Sequence, residues 1–302
     1  MNAFGYDLTP QIEEVQWLED KGVKLFLKRD DQIDPLVSGN KLFKLTHSLM
    51  EARVQGKNTI LTFGGAYSNH IVATAKACMK VGMESIGIIR GERPNTLNPT
   101  LLEAAKSGMN LRFVSRAKYR MKSSEEYVSD LQREHPDAYI VPEGGANAIG
   151  IKGAQHILDN CESFDSVVVA MGTGTTFAGM LLAANPKQKV IGIPILKHDA
   201  LLSELIDIQP SIANIASNRF EIVSGYHFGG YAKWTEELIE FMRRFYQVTS
   251  IKLDPIYTSK AMYALTELVS RRNDLGKSIL FVHTGGLQGL KGFEERFGIK
   301  VY

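Results

Sequence analysis

Short apolar runs of strand length alternate along the chain with longer stretches that have the apolar spacing of amphipathic helices. We predict strands at residues 23–28, 59–63, 85–89, 111–114, 138–141, 167–170, 190–195 and 279–282. We predict helices at residues 41–54, 68–81, 123–133, 234–245 and 256–271. Because strand and helix alternate, the pattern indicates right-handed crossover units and an α/β fold with a mostly parallel sheet covered on both faces.

The number of strands allows either one sheet or two. Chemistry-bearing segments recur just after strands, near residues 40, 68, 172, 231, 257 and 284. Ligands of open α/β sheets bind at the carboxyl ends of the strands, so these segments converge if two sheets face a common cleft. We therefore predict a small domain at 42–149, inserted into a large domain made of 1–41 and 150–302.

Composition and charge exclude several classes of protein. The chain has 302 residues, a net charge of +2 and 23% charged residues, which gives no indication of nucleic-acid binding. Its two cysteines, Cys78 and Cys161, lie far apart, as is usual in a reducing compartment. No secretion signal, membrane-length apolar run or zinc-type spacing is present. We expect a soluble, cytoplasmic protein without a catalytic metal.

Lys41 is a candidate catalytic amine. It follows Gly39 and Asn40 at the start of a predicted helix, where its positive charge opposes the helix dipole and lowers the pKa of the amine. An amine that loses its proton readily is a good Schiff-base nucleophile. Most lysines at such positions are simply solvated, so this motif is suggestive only.

Two loops that lead from a strand into a helix are candidate anion sites. Gly172, Thr173, Gly174, Thr175 and Thr176 follow an apolar strand, and free N–H groups at such a helix start bind phosphate. The third glycine of a dinucleotide fingerprint is replaced by Phe177, and no Walker lysine follows.

The second loop contains Ser68, Asn69 and His70 after the Gly64–Gly65 pair. A serine or asparagine here is commonly a helix cap, but the same N–H groups can hold a substrate carboxylate. Together with the amine of Lys41, the two loops favour pyridoxal phosphate (PLP) as cofactor.

A series of motifs along nearly the whole chain resembles the PLP enzymes of the 1-aminocyclopropane-1-carboxylate deaminase and D-cysteine desulfhydrase family. The matching runs are Lys28–Asp31, Ser38–Lys41 with Lys44-Leu45, Ser68–His70, Pro142–Asn147, Gly172–Thr176, Asp254–Tyr257 and His283–Gly286. The resemblance implies fold type II, similar to the β subunit of tryptophan synthase, with two open twisted sheets, an active site in the interdomain cleft, and a homodimer.

The resemblance also implies roles for individual residues. Lys41 would be the Schiff-base lysine and the general base, and Asn69 would bond the ring oxygen of PLP. Residues 172–176 would hold the phosphate, and Tyr257 would lie against the ring. Ser68, Asn69 and His70 would receive the substrate carboxylate, with Tyr67 and Tyr231 beside the substrate; Ser68, Tyr231 and Tyr257 are candidate catalytic residues.

Two positions distinguish the members of this family. The deaminases have a glutamate and a leucine where this chain has Thr258 and Thr284. A carboxylate at the pyridine nitrogen deepens the electron sink that opening of a carbon ring requires, whereas a threonine favours loss of a good β-leaving group. We therefore expect α,β-elimination from D-cysteine or a related small amino acid, giving pyruvate, ammonia and sulfide.

Other functions stay open at this stage. Within PLP chemistry the alternatives are cyclopropane deamination, β-replacement and dehydration of hydroxy amino acids. From other classes, a catalytically idle PLP-binding protein and a nucleotide-binding dehydrogenase are the competitors. The chain departs from the resembling family at Phe43, where an arginine is usual, at Tyr67, where a glutamine is usual, and in a short stretch at 90–99.

Overall fold

The computed structural model describes residues 3–5, 8–197 and 200–302. Its strands are β1 (Ile12–Val15), β2 (Lys24–Lys28), β3 (Thr59–Gly64), β4 (Glu84–Arg90), β5 (Asn110–Val114), β6 (Ala138–Val141), β7 (Ser166–Met171), β8 (Lys189–Pro194), β9 (Phe220–Ile222) and β10 (Ser278–Val282). Its helices are α1 (Asn40–Val54), α2 (Asn69–Val81), α3 (Pro99–Lys106), α4 (Arg116–Arg120), α5 (Glu125–Glu134), α6 (Ala148–Gln155), α7 (Thr175–Ala183), α8 (Leu201–Ile208), α9 (Glu236–Thr249), α10 (Thr258–Arg271) and α11 (Leu290–Phe297).

The strands form two sheets, which confirms the predicted fold class. The larger sheet has the order β1-β2-β10-β7-β8-β9, and the smaller has the order β5-β4-β3-β6. Neighbouring strands are parallel except for β1, which pairs antiparallel with β2. All four strands of the smaller sheet come from the part of the chain between β2 and β7.

The eight predicted strands and five predicted helices are all present, with ends shifted by a few residues. Two strands of the larger sheet, β1 and β9, were not predicted. Strand β1 has the sequence IEEV and β9 has three residues. Both lie at sheet edges, where short or charged strands are common and the apolar pattern is weak.

The core of the larger sheet is built on both faces of β7, whose six residues are all buried. Val167 and Val169 pack in a cluster with Phe177 of α7, whereas Val168 packs on the opposite face with Leu265 of α10. Side chains of a strand alternate between faces, so an unbroken apolar run belongs to a strand covered by helices on both sides. Burial of each such side chain contributes about 1.5–3 kcal/mol.

Helix α1 connects the two parts of the structure, since it packs against both α6 and α2. The predicted domain boundaries, between residues 41 and 42 and between 149 and 150, lie inside α1 and α6. The division into two domains stays a prediction. Among the described helices, none has both the length and the apolar character needed to span a bilayer.

Candidate active site

A cavity of about 880 Å³ lies at the carboxyl ends of strands from both sheets. Its wall includes residues at or just after the ends of β3, β4, β6, β7, β8 and β10. Twelve of the predicted site residues line it: Lys41, Tyr67, Ser68, Asn69, His70, Gly172, Thr173, Gly174, Thr176, Tyr231, Tyr257 and Thr284. Thr175 and Thr258 are fully buried and do not line it.

Lys41 lies in the first turn of α1, where the chain passes very close to the segment after β10. Gly39 has φ +77°, and a Cβ atom there would come within 2.0 Å of the carbonyl oxygen of Thr284. Only glycine permits this approach. The Nζ of Lys41 donates to Oδ1 of Asn40 at 2.8 Å, and burial lowers the pKa of the amine to about 8, against the opposing charge of Asp254. The predicted direction of the shift is therefore confirmed, with burial as its main cause.

The loop before α7 presents several unused donors to the cavity. The backbone N–H groups of residues 172–177 have no acceptor among the described residues, and the first helical bond is the one from Ala178 to Gly174. Asn40 donates through Nδ2 to Oγ1 of Thr176 at 2.6 Å, which joins this loop to the first turn of α1. Free N–H groups and the helix dipole make the loop suited to a phosphate.

The start of α2 presents a second set of donors. Ser68 caps the helix, since its Oγ accepts from the N–H of Ile71 at 3.4 Å. The N–H groups of Asn69 and His70 have no acceptor among the described residues. The cap and the anion site are thus compatible, because the serine oxygen satisfies one N–H group and leaves two others without an acceptor.

The hydrogen bonds around His70 determine which nitrogen of its ring carries the proton. Thr62 donates its hydroxyl proton to the carbonyl of Val141 at 2.8 Å, so its oxygen accepts from Nε2 of His70 at 2.9 Å. The proton of the imidazole is then on Nε2, and the buried Nδ1 has no partner among the described residues. Burial and the nearby lysines lower the pKa of His70 to about 3, so the ring is neutral and Nδ1 is free to accept a hydrogen bond.

Two tyrosines form one wall of the cavity. The rings of Tyr231 and Tyr257 meet edge to face with centroids 6.5 Å apart, and Tyr231 donates to the carbonyl of Tyr67 at 3.3 Å. Burial raises the pKa of Tyr231 to about 12, so its hydroxyl is protonated at neutral pH. Lys260 supports the loop that carries Tyr231, since its Nζ donates to the carbonyls of His227 and Gly230, each at 2.9 Å.

Asp254 explains why Thr258 is turned away from the cavity. Its buried carboxylate accepts from the N–H groups of Ile256, Tyr257 and Thr258, and also from the hydroxyl of Thr258 at 2.7 Å. This set of bonds caps α10 and orients Tyr257. The hydroxyl of Thr258 is therefore used in capping, whereas Thr284 is the threonine that faces the cavity.

The sequence did not assign roles to several residues that shape the site. Lys44 lines the cavity one turn after Lys41 and donates to the carbonyl of Gly144 at 3.1 Å. Burial and the charge of Lys41 hold its pKa well below the usual value. The i, i+3 spacing from Lys41 could have identified it. Asn40 and Lys260 act through contacts distant in sequence, so no local pattern marks them, whereas Asp254 acts on residues two to four positions after it.

These features fit PLP. The cavity contains an amine of lowered pKa, a loop of free N–H groups suited to a phosphate, and an aromatic ring. A Cβ atom at Gly172 would lie 3.2 Å from the ring of Tyr257, so a glycine allows the phosphate loop to pass that ring. No group of three or more metal-binding side chains occurs in the described part of the chain.

Comparison with known proteins identifies the family. A family model described as pyridoxal-phosphate dependent enzyme matches residues 4–285. A provisionally named 1-aminocyclopropane-1-carboxylate deaminase of Pyrococcus horikoshii is 32% identical over 299 residues, which cover 94% of this chain and 92% of that protein. The mitochondrial bifunctional D-cysteine desulfhydrase/1-aminocyclopropane-1-carboxylate deaminase of Arabidopsis thaliana is 32% identical over 89% of this chain and 74% of that protein.

A solved structure supports the same conclusion. The crystal structure of an ACC deaminase homologue superposes with a TM-score of 0.82 at 31% identity, covering 96% of this chain and 94% of that one. The chain therefore belongs to the pyridoxal-phosphate dependent enzymes of fold type II, and its cofactor is pyridoxal 5'-phosphate.

Proposed function

We propose that the chain is a lyase of the D-cysteine desulfhydrase type. It would convert D-cysteine, or a related small amino acid, by α,β-elimination into pyruvate, ammonia and sulfide. The observation that carries the proposal is the lining of the cavity, which includes Thr284 and, among the described residues, has Glu143 as its one acidic side chain. The name of the Arabidopsis relative, which includes this activity, supports it.

The inner wall limits the reactions that the site can support. PLP supplies the electron sink for the pair of electrons that remains when the substrate Cα loses its proton. A carboxylate beside the ring nitrogen would deepen that sink, but the carboxylate of Asp254 is turned to α10. Among the described lining residues only Glu143 is acidic, and it lies 3.6 Å from Lys122. The weaker sink favours a reaction with a good leaving group, such as a thiolate, over cleavage of a carbon–carbon bond.

The residues of the chain provide the remaining functions. The amine of Lys41 would hold the cofactor when it is bound, and the same amine would accept the Cα proton of the substrate. Its lowered pKa makes part of the amine population neutral near pH 8. Ser68 and the free N–H groups of Asn69 and His70 would bind the substrate carboxylate, and Tyr231, whose hydroxyl donates to the carbonyl of Tyr67, would lie beside the substrate.

The phosphate loop and Tyr257 position the cofactor. The free N–H groups of residues 172–176 are the proposed phosphate ligands, and Lys44, which also lines the cavity, adds a further donor. Asn69 is proposed to bond the ring oxygen of the cofactor. Thr284 is proposed to face the ring nitrogen with a hydroxyl, and Thr258 acts on the ring only through its effect on Tyr257.

Deamination of 1-aminocyclopropane-1-carboxylate is the second candidate. The names of both relatives favour it, and Ser68, Tyr231 and Tyr257 are all on the cavity wall, as that reaction also needs donors and a nucleophile. Its products are 2-oxobutyrate and ammonia. Dehydration of serine and β-replacement are further options that product analysis separates.

The test is a product assay on the purified holoenzyme with D-cysteine, L-cysteine, serine and 1-aminocyclopropane-1-carboxylate. We expect pyruvate and sulfide from D-cysteine, and no product from the Lys41→Ala variant. Formation of 2-oxobutyrate from the cyclopropane, without pyruvate from either cysteine, would instead establish the deaminase.

Location and assembly are part of the proposal. We propose a cytoplasmic homodimer on the family resemblance and on the two buried, unpaired cysteines, Cys78 and Cys161. Light scattering coupled to gel filtration gives the mass in solution. A mass of one chain at micromolar concentration would contradict the dimer.

A further inference from the structure

Three exposed arginines line the cavity. Arg90 ends β4, Arg116 begins α4 and Arg296 lies in the last turn of α11; all three line the cavity. None forms an ion pair with a described carboxylate. By contrast, Arg29 and Arg272 are each paired with two carboxylates. The charge of the three guanidinium groups at the cavity is therefore not compensated by an ion pair with a described carboxylate.

The single acidic side chain among the described lining residues does not cancel this charge. Glu143 lies 3.6 Å from Lys122, a lysine outside the cavity lining. The chain as a whole has a net charge of only +2. Positive charge is thus concentrated in the lining of the cavity, and such a concentration selects anionic ligands.

Tyr67 holds one of the arginines over the cavity. The guanidinium of Arg296 lies 5.3 Å from the centre of the Tyr67 ring, within the range of a cation–π contact. The ring also rests on α11 at Gly292, where an added Cβ atom would lie 3.4 Å from it. Tyr67 stands where the resembling family has a glutamine, and a glutamine lacks a ring on which Arg296 could lie.

Arg90 reaches the same turn from the end of β4, the strand that pairs with β3. A Cβ atom at Gly65 would lie 3.8 Å from Nη2 of Arg90, and Gly65 begins the turn that leads to Ser68. Arg90 and Arg296 therefore both border the turn at which the substrate carboxylate is proposed to bind. Since the N–H groups of Asn69 and His70 already serve one carboxylate, the arginines are available for a second anionic group.

We propose that the preferred substrate is a cysteine thioether whose sulfur substituent ends in a carboxylate, and that Arg90, Arg116 and Arg296 bind this carboxylate. Guanidinium groups bind carboxylates in two-pronged fashion, which fixes the orientation of a long substituent. This inference rests on the proposed elimination. The Cα–H and Cβ–S bonds break, Lys41 takes the proton, and the thiolate leaves with the bonding electrons. Water then converts the remaining enamine to pyruvate and ammonia.

The experiment compares two substrates of nearly equal size, S-carboxymethyl-cysteine and its neutral amide, S-carbamoylmethyl-cysteine, each as both enantiomers. We expect kcat/KM for the acid to exceed that for the amide by about tenfold or more, since hydrogen bonds to charged partners are the stronger ones. The Arg296→Gln variant should lower this ratio several-fold. Arg120→Gln on α4 is the matched control, because Arg120 does not line the cavity, and should leave the ratio unchanged.

A second measurement separates this inference from the proposed function. Titration of the visible cofactor band of the holoenzyme reports binding of each compound without turnover. If D-cysteine yields pyruvate but the acid and the amide bind equally, or the acid does not bind, the inference is overturned and the lyase stands. If no substrate yields pyruvate but the acid shifts the band at lower concentration than the amide, the lyase fails and the anionic preference holds.

Discussion

Replacement of Asp254 by asparagine should destabilise the protein and disturb its active site together. The carboxylate of Asp254 is 1% exposed and accepts from the N–H groups of Ile256, Tyr257 and Thr258 and from the hydroxyl of Thr258. These donors surround the start of α10. An asparagine at this position keeps one acceptor oxygen, but its NH₂ group replaces the other oxygen. This NH₂ group is a donor, so it faces N–H groups that it cannot accept from.

The cost follows from the number of donors left without an acceptor. One oxygen can serve two of the four donors, and each buried donor that stays unsatisfied costs about 1–3 kcal/mol. For the two remaining donors we expect a loss of about 2–6 kcal/mol, and for a chain of this size a melting temperature lower by roughly 5–15 °C. The negative charge of Asp254 also raises the pKa of Lys41, so its removal should lower that pKa below about 8.

Thermal unfolding of the apoprotein, followed by circular dichroism, measures the first effect without the contribution of bound cofactor. The pH dependence of cofactor capture by the apoprotein measures the second. Thr258→Val is the control, because it keeps the charge and leaves only the N–H of Asp254 without an acceptor, and should cost about 1–3 kcal/mol. An Asp254→Asn protein that melts within about 2 °C of the wild type would refute the reasoning, given the shift expected per kcal/mol.

Three other predictions concern separate parts of the molecule. Capture of PLP by Lys41 should rise with pH through about 8, since the neutral amine is the form that reacts. A midpoint of this pH dependence near 10.5 would contradict the argument that burial lowers the pKa. After reduction of the holoenzyme with borohydride, peptide mass spectrometry should find the pyridoxyl group on Lys41. Lys260→Met should loosen the loop of Tyr231 and raise KM, with a stability loss of about 1–3 kcal/mol from unsatisfied carbonyls, as measured by urea unfolding. The pKa of Glu221, which is paired with Arg272, is lowered from 4.5 to about 2. Its contribution to stability is therefore complete above pH 4.5 and is lost as the pH falls towards 2. In the Glu221→Gln variant, stability should depend less on pH between these two values, as acid denaturation measures.

The local parts of the fold were predictable because each depends on nearby residues. An apolar run such as β7 is buried on both faces wherever it folds, and the amphipathic spacing of α1 and α10 marks helices by itself. Strands β1 and β9 escaped prediction because they are held by pairing with β2 and β8. Their own side chains carry little pattern, since an edge strand buries little surface.

The predicted site residues differ in how well a local sequence motif identifies them. Lys41, Ser68 and the glycines of the phosphate loop were identifiable because each motif places free N–H groups or an amine at a helix start. Thr258 shows the limit of this reasoning. It is adjacent to Tyr257 in sequence, but its hydroxyl donates to the carboxylate of Asp254, and Thr284 is the threonine that lines the cavity.

The sequence by itself determined the element types, the α/β class and the separate anion-binding motifs, since these depend on spacing within one helix or loop. Only the tertiary structure decided which motifs share a cavity, because the crossing of α1 between the sheets brings segments more than a hundred residues apart into contact. It also decided the state of each ionisable group. The lowered pKa of Lys41, the proton position of His70 and the unpaired charge of Arg296 depend on burial and on neighbours that no local pattern specifies.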